Sequence, residues 1–385
     1  MILGLQTDTF GAHGGIPTYN RLVCRVLDEF GSRSRASVLI AMDKEEYAER
    51  EAPLHPNLHL AAFAGDRVRF VMAALRLVVC NRINLILAGH LHYAPLCLLL
   101  RVLRPRMRFG VLIYGSDAWA RVPLMRRWAL QQADFIISIS DYTKRQAVAI
   151  NGLDEKRIFV LPNALEWKTD EAVATVASSS LPLGTRLLSV GRLLKSEQQK
   201  GFDTVIKALP AIAKRVADVQ YIVVGAGDDL ERHKRLAREV GVTDRVHFLG
   251  TVDEQTLRHC YQSCDIFVMP SAQEGFGFVY LEAMQYAKTV VAARSGGTPE
   301  VVEDQITGRL VEYGNEDELA QALVELCLDT EMRTTLGAAG YQRLQERFTF
   351  AQFKNKLGEI LAAELPPKRT ADAQLPVGQS TPQVP

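Results

Sequence analysis

Short apolar runs rich in β-branched residues recur along the chain, and between them lie longer stretches whose apolar positions fall three and four apart. The first pattern fits strands buried on both faces and the second amphipathic helices. Strands are expected at 1–6, 37–41, 84–89, 109–113, 135–139 and 157–161, with helices at 17–30, 67–80, 93–103, 123–132 and 142–150. Such alternation is the mark of a parallel sheet covered by helices. Pro162 and Asn163 close the last of these strands, and the small, polar stretch 166–182 reads as a linker. The alternation then restarts at 186–190 and continues through strands at 220–224, 245–248, 265–269, 289–292 and 309–311. Helical patterns follow at 316–327, 330–346 and 349–364, while 366–385 has no periodicity and is expected to be a disordered tail. The expected fold class is α/β, with two doubly wound domains over 1–165 and 183–347 and a last helix within 348–365 that returns to the first domain.

Two open sheets in series leave a cleft beside their strand C-termini, so residues that carry chemistry should directly follow strands. After 186–190 comes GRLLKSEQQKGFD, in which Arg192 and Lys200 flank a glycine-bearing loop. A guanidinium fork and an ammonium converging there suit a diphosphate, although a solvated basic loop would look the same in sequence. After 265–269 comes SAQEGFGFVYLEAM, where Gly275 and Gly277 permit close approach of a ligand and a helix beginning near Phe278 offers free N–H groups to an anion. Glu274 precedes that helix and Glu282 lies a turn or so into it, so both are expected to face one side of the cleft. Carboxylates beside a phosphate site point to sugar hydroxyls, whereas helix capping would account for each glutamate singly.

The spacing of Glu274 and Glu282 (Glu, seven residues, Glu), the preceding GRLLKSEQQKGFD and the later SGGTPEVV resemble the family-4 retaining glycosyltransferases of the GT-B fold over residues 1–365. The resemblance implies that Arg192 and Lys200 neutralise the donor diphosphate, which is also the leaving group. It places Glu274 on the transferred sugar, Glu282 on the ribose, and the backbone of Phe276, Gly277, Phe278 and Val279 on sugar and phosphates. The stretch from Gly250 to Val252 occupies the place where the family clasps the base. Gly14 and Gly15 resemble the family's glycine loop, which approaches the diphosphate from the first domain. His90 stands where the family often has a histidine beside the reacting sugar, with His92 competing for the role. Tyr114 and Asp117 fall on the acceptor side, although the family often has histidine at the position of Tyr114. Asn163 matches a hinge Pro-Asn, and a simple turn explains it equally well.

The same resemblance implies retention of anomeric configuration by front-face attack, with the leaving-group charge stabilised electrostatically. No Asp-x-Asp triplet is present to bridge a metal and diphosphate, so neither a metal nor another cofactor is expected beyond the nucleotide-sugar co-substrate. GDP-mannose or a UDP-hexose is the expected donor. A nucleotide-sugar epimerase or a phosphorylase shares this architecture, but the added cleft carboxylates or pyridoxal-phosphate lysine that these need are not identifiable. A non-catalytic homologue should have lost Glu274 or the Arg192 and Lys200 pair.

Composition sharpens the acceptor side. Net charge is only +1, but residues 1–165 hold 21 Lys+Arg against 14 Asp+Glu, and residues 67–116 hold eight arginines and no acid. Their two helical segments are basic and amphipathic, as helices lying on an anionic membrane surface are, though arginines snorkelling from ordinary covering helices would read alike. The expectation is a saccharide or lipid-linked acceptor in lipopolysaccharide, other cell-surface polysaccharide or glycolipid synthesis. Nucleic acid is not an expected partner, because aromatics are not interleaved with the basic residues. Six sparse cysteines without metal spacing fit a reducing cytoplasm. No stretch has the length and apolarity of a membrane span, and no signal peptide is read at the N-terminus. The expected location is cytoplasmic, peripheral on the inner face of the cell membrane.

Overall fold

A computed structural model describes residues 1–12, 14–31, 36–165 and 181–365. All but two residues of the expected linker, and the whole stretch 366–385, lie outside the described residues. The first part runs β1 (Ile2–Gln6), α1 (Gly15–Gly31), β2 (Ala36–Ile40), α2 (Glu45–Glu51), β3 (Leu58–Ala62), α3 (Arg67–Cys80), β4 (Leu85–Ala88), α4 (Ala94–Leu103), β5 (Arg108–Ile113), α5 (Leu124–Gln131), β6 (Phe135–Ser138), α6 (Asp141–Asn151) and β7 (Ile158–Val160). These strands form one parallel sheet in the order β3-β2-β1-β4-β5-β6-β7. The hydrophobic pattern does not announce α2 or β3. The reason lies in β3 itself, an edge strand bonded only to β2, whose residues LHLAA are buried only at the two ends instead of forming a continuous apolar run.

The second part runs β8 (Arg186–Val190), α7 (Phe202–Ala213), β9 (Gln220–Val224), α8 (Leu230–Glu239), β10 (Val246–Gly250), α9 (Glu254–Ser263), β11 (Ile266–Met269), α10 (Phe278–Gln285), β12 (Thr289–Ala293), α11 (Thr298–Val301) and β13 (Gly308–Val311). Its parallel sheet has the order β10-β9-β8-β11-β12-β13. The sheets are central because β1, β2, β4, β11 and β12 are buried along their whole length, as strands covered on both faces must be. Three further helices, α12 (Glu316–Leu328), α13 (Thr330–Arg347) and α14 (Phe350–Glu364), complete the chain.

Between α13 and α14 the chain meets the end of the first part, where the amide of Leu165 donates to the carbonyl of Phe348 at 2.9 Å. Helix α14 then lies against α1. Phe353 meets Tyr19 edge-on, Lys354 pairs with Glu29 at 3.0 Å, the Arg25 guanidinium covers the Phe350 ring, and Glu364 pairs with Arg108. The last helix therefore packs on the first sheet's covering layer, and a mixed apolar core bridges the two halves.

Candidate active site

Strand order reverses between β1 and β4 in the first sheet and between β8 and β11 in the second, and crevices open at such points because neighbouring loops leave in opposite directions. Gly14 and Gly15 follow β1, His90 follows β4, Arg192 and Lys200 follow β8, and Glu274 follows β11. These six candidates thus sit on four loops at two switch points.

The loops of the second domain are stacked on one another by backbone contacts. Ala272 donates its amide to the carbonyl of Gln199 at 2.8 Å, and Gly297 donates to that of Glu274 at 2.8 Å. Gly201 must be glycine: its φ is +83°, and a Cβ there would stand 2.3 Å from the carbonyl oxygen of Pro270. Behind the first loop, Asp229 is fully buried and takes hydrogen bonds from Arg232 and Gln198. Arg232 also forks onto Asp203 at 2.5 and 3.0 Å. Burial works against ionisation of Asp203, but His233 and Arg232 hold its carboxyl down to about 2. These ion pairs brace the loop without entering the cleft.

Arg192 and Lys200 do converge, and they converge on a residue that sequence reasoning passes over. Glu197 pairs with the Arg192 guanidinium through Oε1 and with the Lys200 ammonium through Oε2, the latter at 3.0 Å. Glu274 stands within electrostatic reach of the same group. Burial raises its carboxyl, the Lys200 charge and the Phe276 amide lower it, and Glu197 raises it further. The signal for Glu197 in the sequence is only its place between two cations, three residues before Lys200 in a turn of 3-10 helix over Lys195–Lys200.

Helix α10 begins after Gly277, which has φ +96° and puts no side chain over the first amides. Phe276 is buried with its ring edge-on to Phe348, so only its main chain faces the loop, as does that of Gly277. Phe278 reaches across the cleft, its ring 3.6 Å from where a Cβ on Gly15 would lie, and Val279 is half-buried beside it. Val252, just beyond β10, is half-buried at the edge of the core.

Glu282 and Glu274 do not share partners. The Glu282 carboxylate accepts from the Tyr261 hydroxyl on α9 at 2.6 Å, and Arg192 and Lys200 are not among the charges that act on it. Burial raises its carboxyl to about 7 against the hydrogen bond from Tyr261. Since the folded value lies above the ordinary 4.5, the folded state holds a proton that the unfolded chain has lost between these limits, and stability falls as pH rises through that window. Glu282→Gln keeps an acceptor for Tyr261 but cannot ionise. Its melting temperature is expected to drop less than that of the wild type between pH 5 and pH 8; parallel melting profiles would show that Glu282 carries no such cost.

Across the cleft, Gly14 has φ +136° and Gly15 opens α1. His90 is buried, and its Nδ1 accepts from the His92 amide at 3.2 Å, which leaves the ring proton on Nε2. Burial, then the neighbouring His92 and Arg126, lower its pKa to about 4, so it is neutral at physiological pH. Nε2 lies 3.9 Å from Asp117, beyond hydrogen-bond reach, and the two do not form an ion pair. Asp117 instead receives the Tyr114 amide at 3.1 and 3.3 Å and fixes the turn after β5. The Tyr114 hydroxyl donates inward to Asn20 at 3.1 Å. His90 thus keeps an Nε2–H with no hydrogen-bond partner among the described residues, while the acceptor-side candidates Tyr114 and Asp117 are engaged within their own domain.

The SGGTPE segment, whose role the sequence leaves open, joins the domains. The Glu300 carboxylate accepts from the amides of Asp141 at 2.8 Å and Tyr142 at 2.6 Å, the first free N–H groups of α6. An anion at a helix N-terminus is favoured by unsatisfied amides and by the helix dipole together. Gly275 also lies against the carbonyl oxygen of Tyr114 from the first domain, so the two switch points are held close.

Comparison with known proteins identifies the family. The family models for Glycosyltransferase Family 4 and for Glycosyl transferases group 1 match residues 13–166 and 184–343. A GDP-mannose-dependent alpha-(1-6)-phosphatidylinositol monomannoside mannosyltransferase of Mycobacterium tuberculosis is 30% identical over 292 residues, which span 70% of this chain and 74% of its own. The chain is a family-4 glycosyltransferase of the GT-B fold. A D-inositol 3-phosphate glycosyltransferase of Corynebacterium aurimucosum, also related, is 36% identical over 197 residues, 48% of this chain and 46% of that protein. The crystal structure of Anabaena Alr3699/HepE in complex with UDP superposes with a TM-score of 0.74 at 21% identity, covering 94% of this chain and 100% of that one. In this glycosyltransferase the two matched segments meet at the cleft just described.

Proposed function

We propose that this glycosyltransferase is a retaining hexosyltransferase that moves a sugar, mannose from GDP-mannose before a hexose from a UDP-sugar, onto a lipid-linked acceptor at an anionic membrane surface. Convergence of Arg192, Lys200 and the open N-terminus of α10 on one crevice carries the donor half of this reading, since all three favour a diphosphate. The sugar's C1–O bond to the diphosphate breaks as a bond to the acceptor hydroxyl forms on the same face, and the hydroxyl proton passes to the departing phosphate. In this reading Glu274 and the Nε2–H of His90 hold sugar hydroxyls during that exchange, and Glu282 holds the ribose. Preference for a guanosine donor and a phosphoinositide-type acceptor rests on the relatives named above.

The acceptor half is supported by the outer face of the first domain. Val68, Met72 and Val79 on α3, Leu99 and Val102 on α4, and Leu124, Met125 and Trp128 on α5 are 55–74% exposed. Three neighbouring helices that display aliphatic side chains, a tryptophan and many arginines match a surface seated at lipid headgroups. Helix α5 also carries Arg126, whose charge acts on both His90 and His92, so this face adjoins the reactive end of the cleft. No helix among the described residues is long and apolar enough to cross a membrane.

Vesicles containing phosphatidylinositol should sediment the protein in low salt and release it as salt rises, and replacing Leu124, Met125 and Trp128 together by serine should abolish sedimentation. The same vesicles with GDP-mannose should yield an α-mannosylated lipid. Binding that ignores salt and survives the triple substitution would refute the surface, and failure of every nucleotide sugar to bind would refute the donor reading.

A further inference from the structure

We propose that Glu197 is an internal stand-in for the donor diphosphate: its carboxylate occupies Arg192 and Lys200 when the site is empty, yields them to the incoming donor, and competes for them again to help expel the nucleoside diphosphate. This rests on the donor reading of the crevice given above. The loop around Glu197 is tied down on both sides, Lys195 by its amide to Asp228 at 3.0 Å, Gln198 to Asp229 at 3.3 Å and Gln199 by its carbonyl to Ala272. The carboxylate itself has no such tie. Among the described residues its Oε2 accepts no well-aligned hydrogen bond, and both its oxygens are engaged only by the two cations.

Charge balance shows what this must do. Glu197 meets both Arg192 and Lys200, and Glu274 feels the charge of Lys200, so these two cations and two carboxylates are formally neutral together. A diphosphate entering with Glu197 in place adds negative charge to a neutral, half-buried site, where like charges a few ångströms apart repel strongly. Glu274 is held in its loop by the Phe276 amide, whereas Glu197 lies at a break in its 3-10 turn, with non-helical φ −123° and ψ 29°. Glu197 is therefore the carboxylate free to swing away. An attached competitor acts at high effective concentration, which weakens product binding and quickens its departure.

The test is calorimetric titration of GDP and of UDP into the wild type and Glu197→Gln, which keeps size and polarity but not charge. The variant is expected to bind the preferred diphosphate about ten-fold more tightly, with a matching fall in the product-inhibition constant, and the gain should shrink as salt screens the site. Equal or weaker binding by a variant that melts like the wild type would overturn the proposal, because a carboxylate that merely positions Arg192 and Lys200 would be missed on removal. If Glu197→Gln melts early, Glu197→Asp serves instead: its retracted charge should also tighten binding, and weaker binding would overturn the proposal. A wild type that binds neither nucleotide would instead remove the donor reading itself.

Discussion

Replacing Lys200 with alanine is expected to slow glycosyl transfer by about 10²–10³-fold while leaving the protein folded, the range seen when one preorganised charge-stabilising donor is removed. Lys200 stands at the end of the loop after β8, its side chain only 22% exposed, against 61% for Arg192. The less wetted charge is screened less, so more of the leaving-group charge should rest on it. Its loss also leaves Glu197 and Glu274 facing each other with a single cation, which opposes an arriving diphosphate. Nothing in the core depends on it, because the fit of Gly201 onto Pro270 is a backbone contact that the substitution leaves alone. Turnover is read from nucleoside diphosphate release and folding from thermal melting; turnover within a few-fold of the wild type would take Lys200 out of the site.

A methyl group at position 275 should be almost as damaging through a different physical route. The Cβ of Gly275→Ala would lie 2.3 Å from the carbonyl oxygen of Tyr114 and 3.1 Å from Cδ1 of Ile139, both in the first domain. The nearer obstacle is backbone at the end of β5 and cannot rotate away. Relief requires the two domains to separate by about 1 Å, a misplacement that can cost about 10²-fold in rate when reacting groups come from both sides. Donor affinity should survive within a few-fold, since Arg192, Lys200 and Glu282 all belong to the second domain. A collapse in transfer with retained nucleotide binding and a larger small-angle scattering radius is the expected outcome. Parallel loss of nucleotide binding would show that the substitution spoils the donor loop rather than the fit between domains.

Much of this site is legible in one sequence because its parts are local. Gly201 and Gly277 announce themselves because each needs positive φ, at +83° and +96°, directly before a helix. Arg192, Lys200 and Glu274 can be placed by following the apolar runs to their ends. Other residues resist such reading. Glu197 looks like any surface glutamate until its loop is folded over Arg192 and Lys200. Tyr114 reads as an acceptor-side group, yet its hydroxyl is spent on Asn20, a residue 94 positions away. Glu300 lies in a recognisable segment, but its partners are amides of α6, nearly 160 positions earlier.

The order of amino acids is enough to read the two α/β sheets, the loops that follow their strands and the family to which the motifs belong, because periodicity and turn chemistry act over a few residues. It does not disclose edge strand β3, whose half-accessible pattern carries little apolar signal. Which carboxylate meets which cation, how Gly275 bears on Tyr114, and where α14 returns to α1 emerge only in the folded chain. Those outcomes depend on contacts between segments far apart in the chain, where burial and charge pairing are settled only once both sheets are in place.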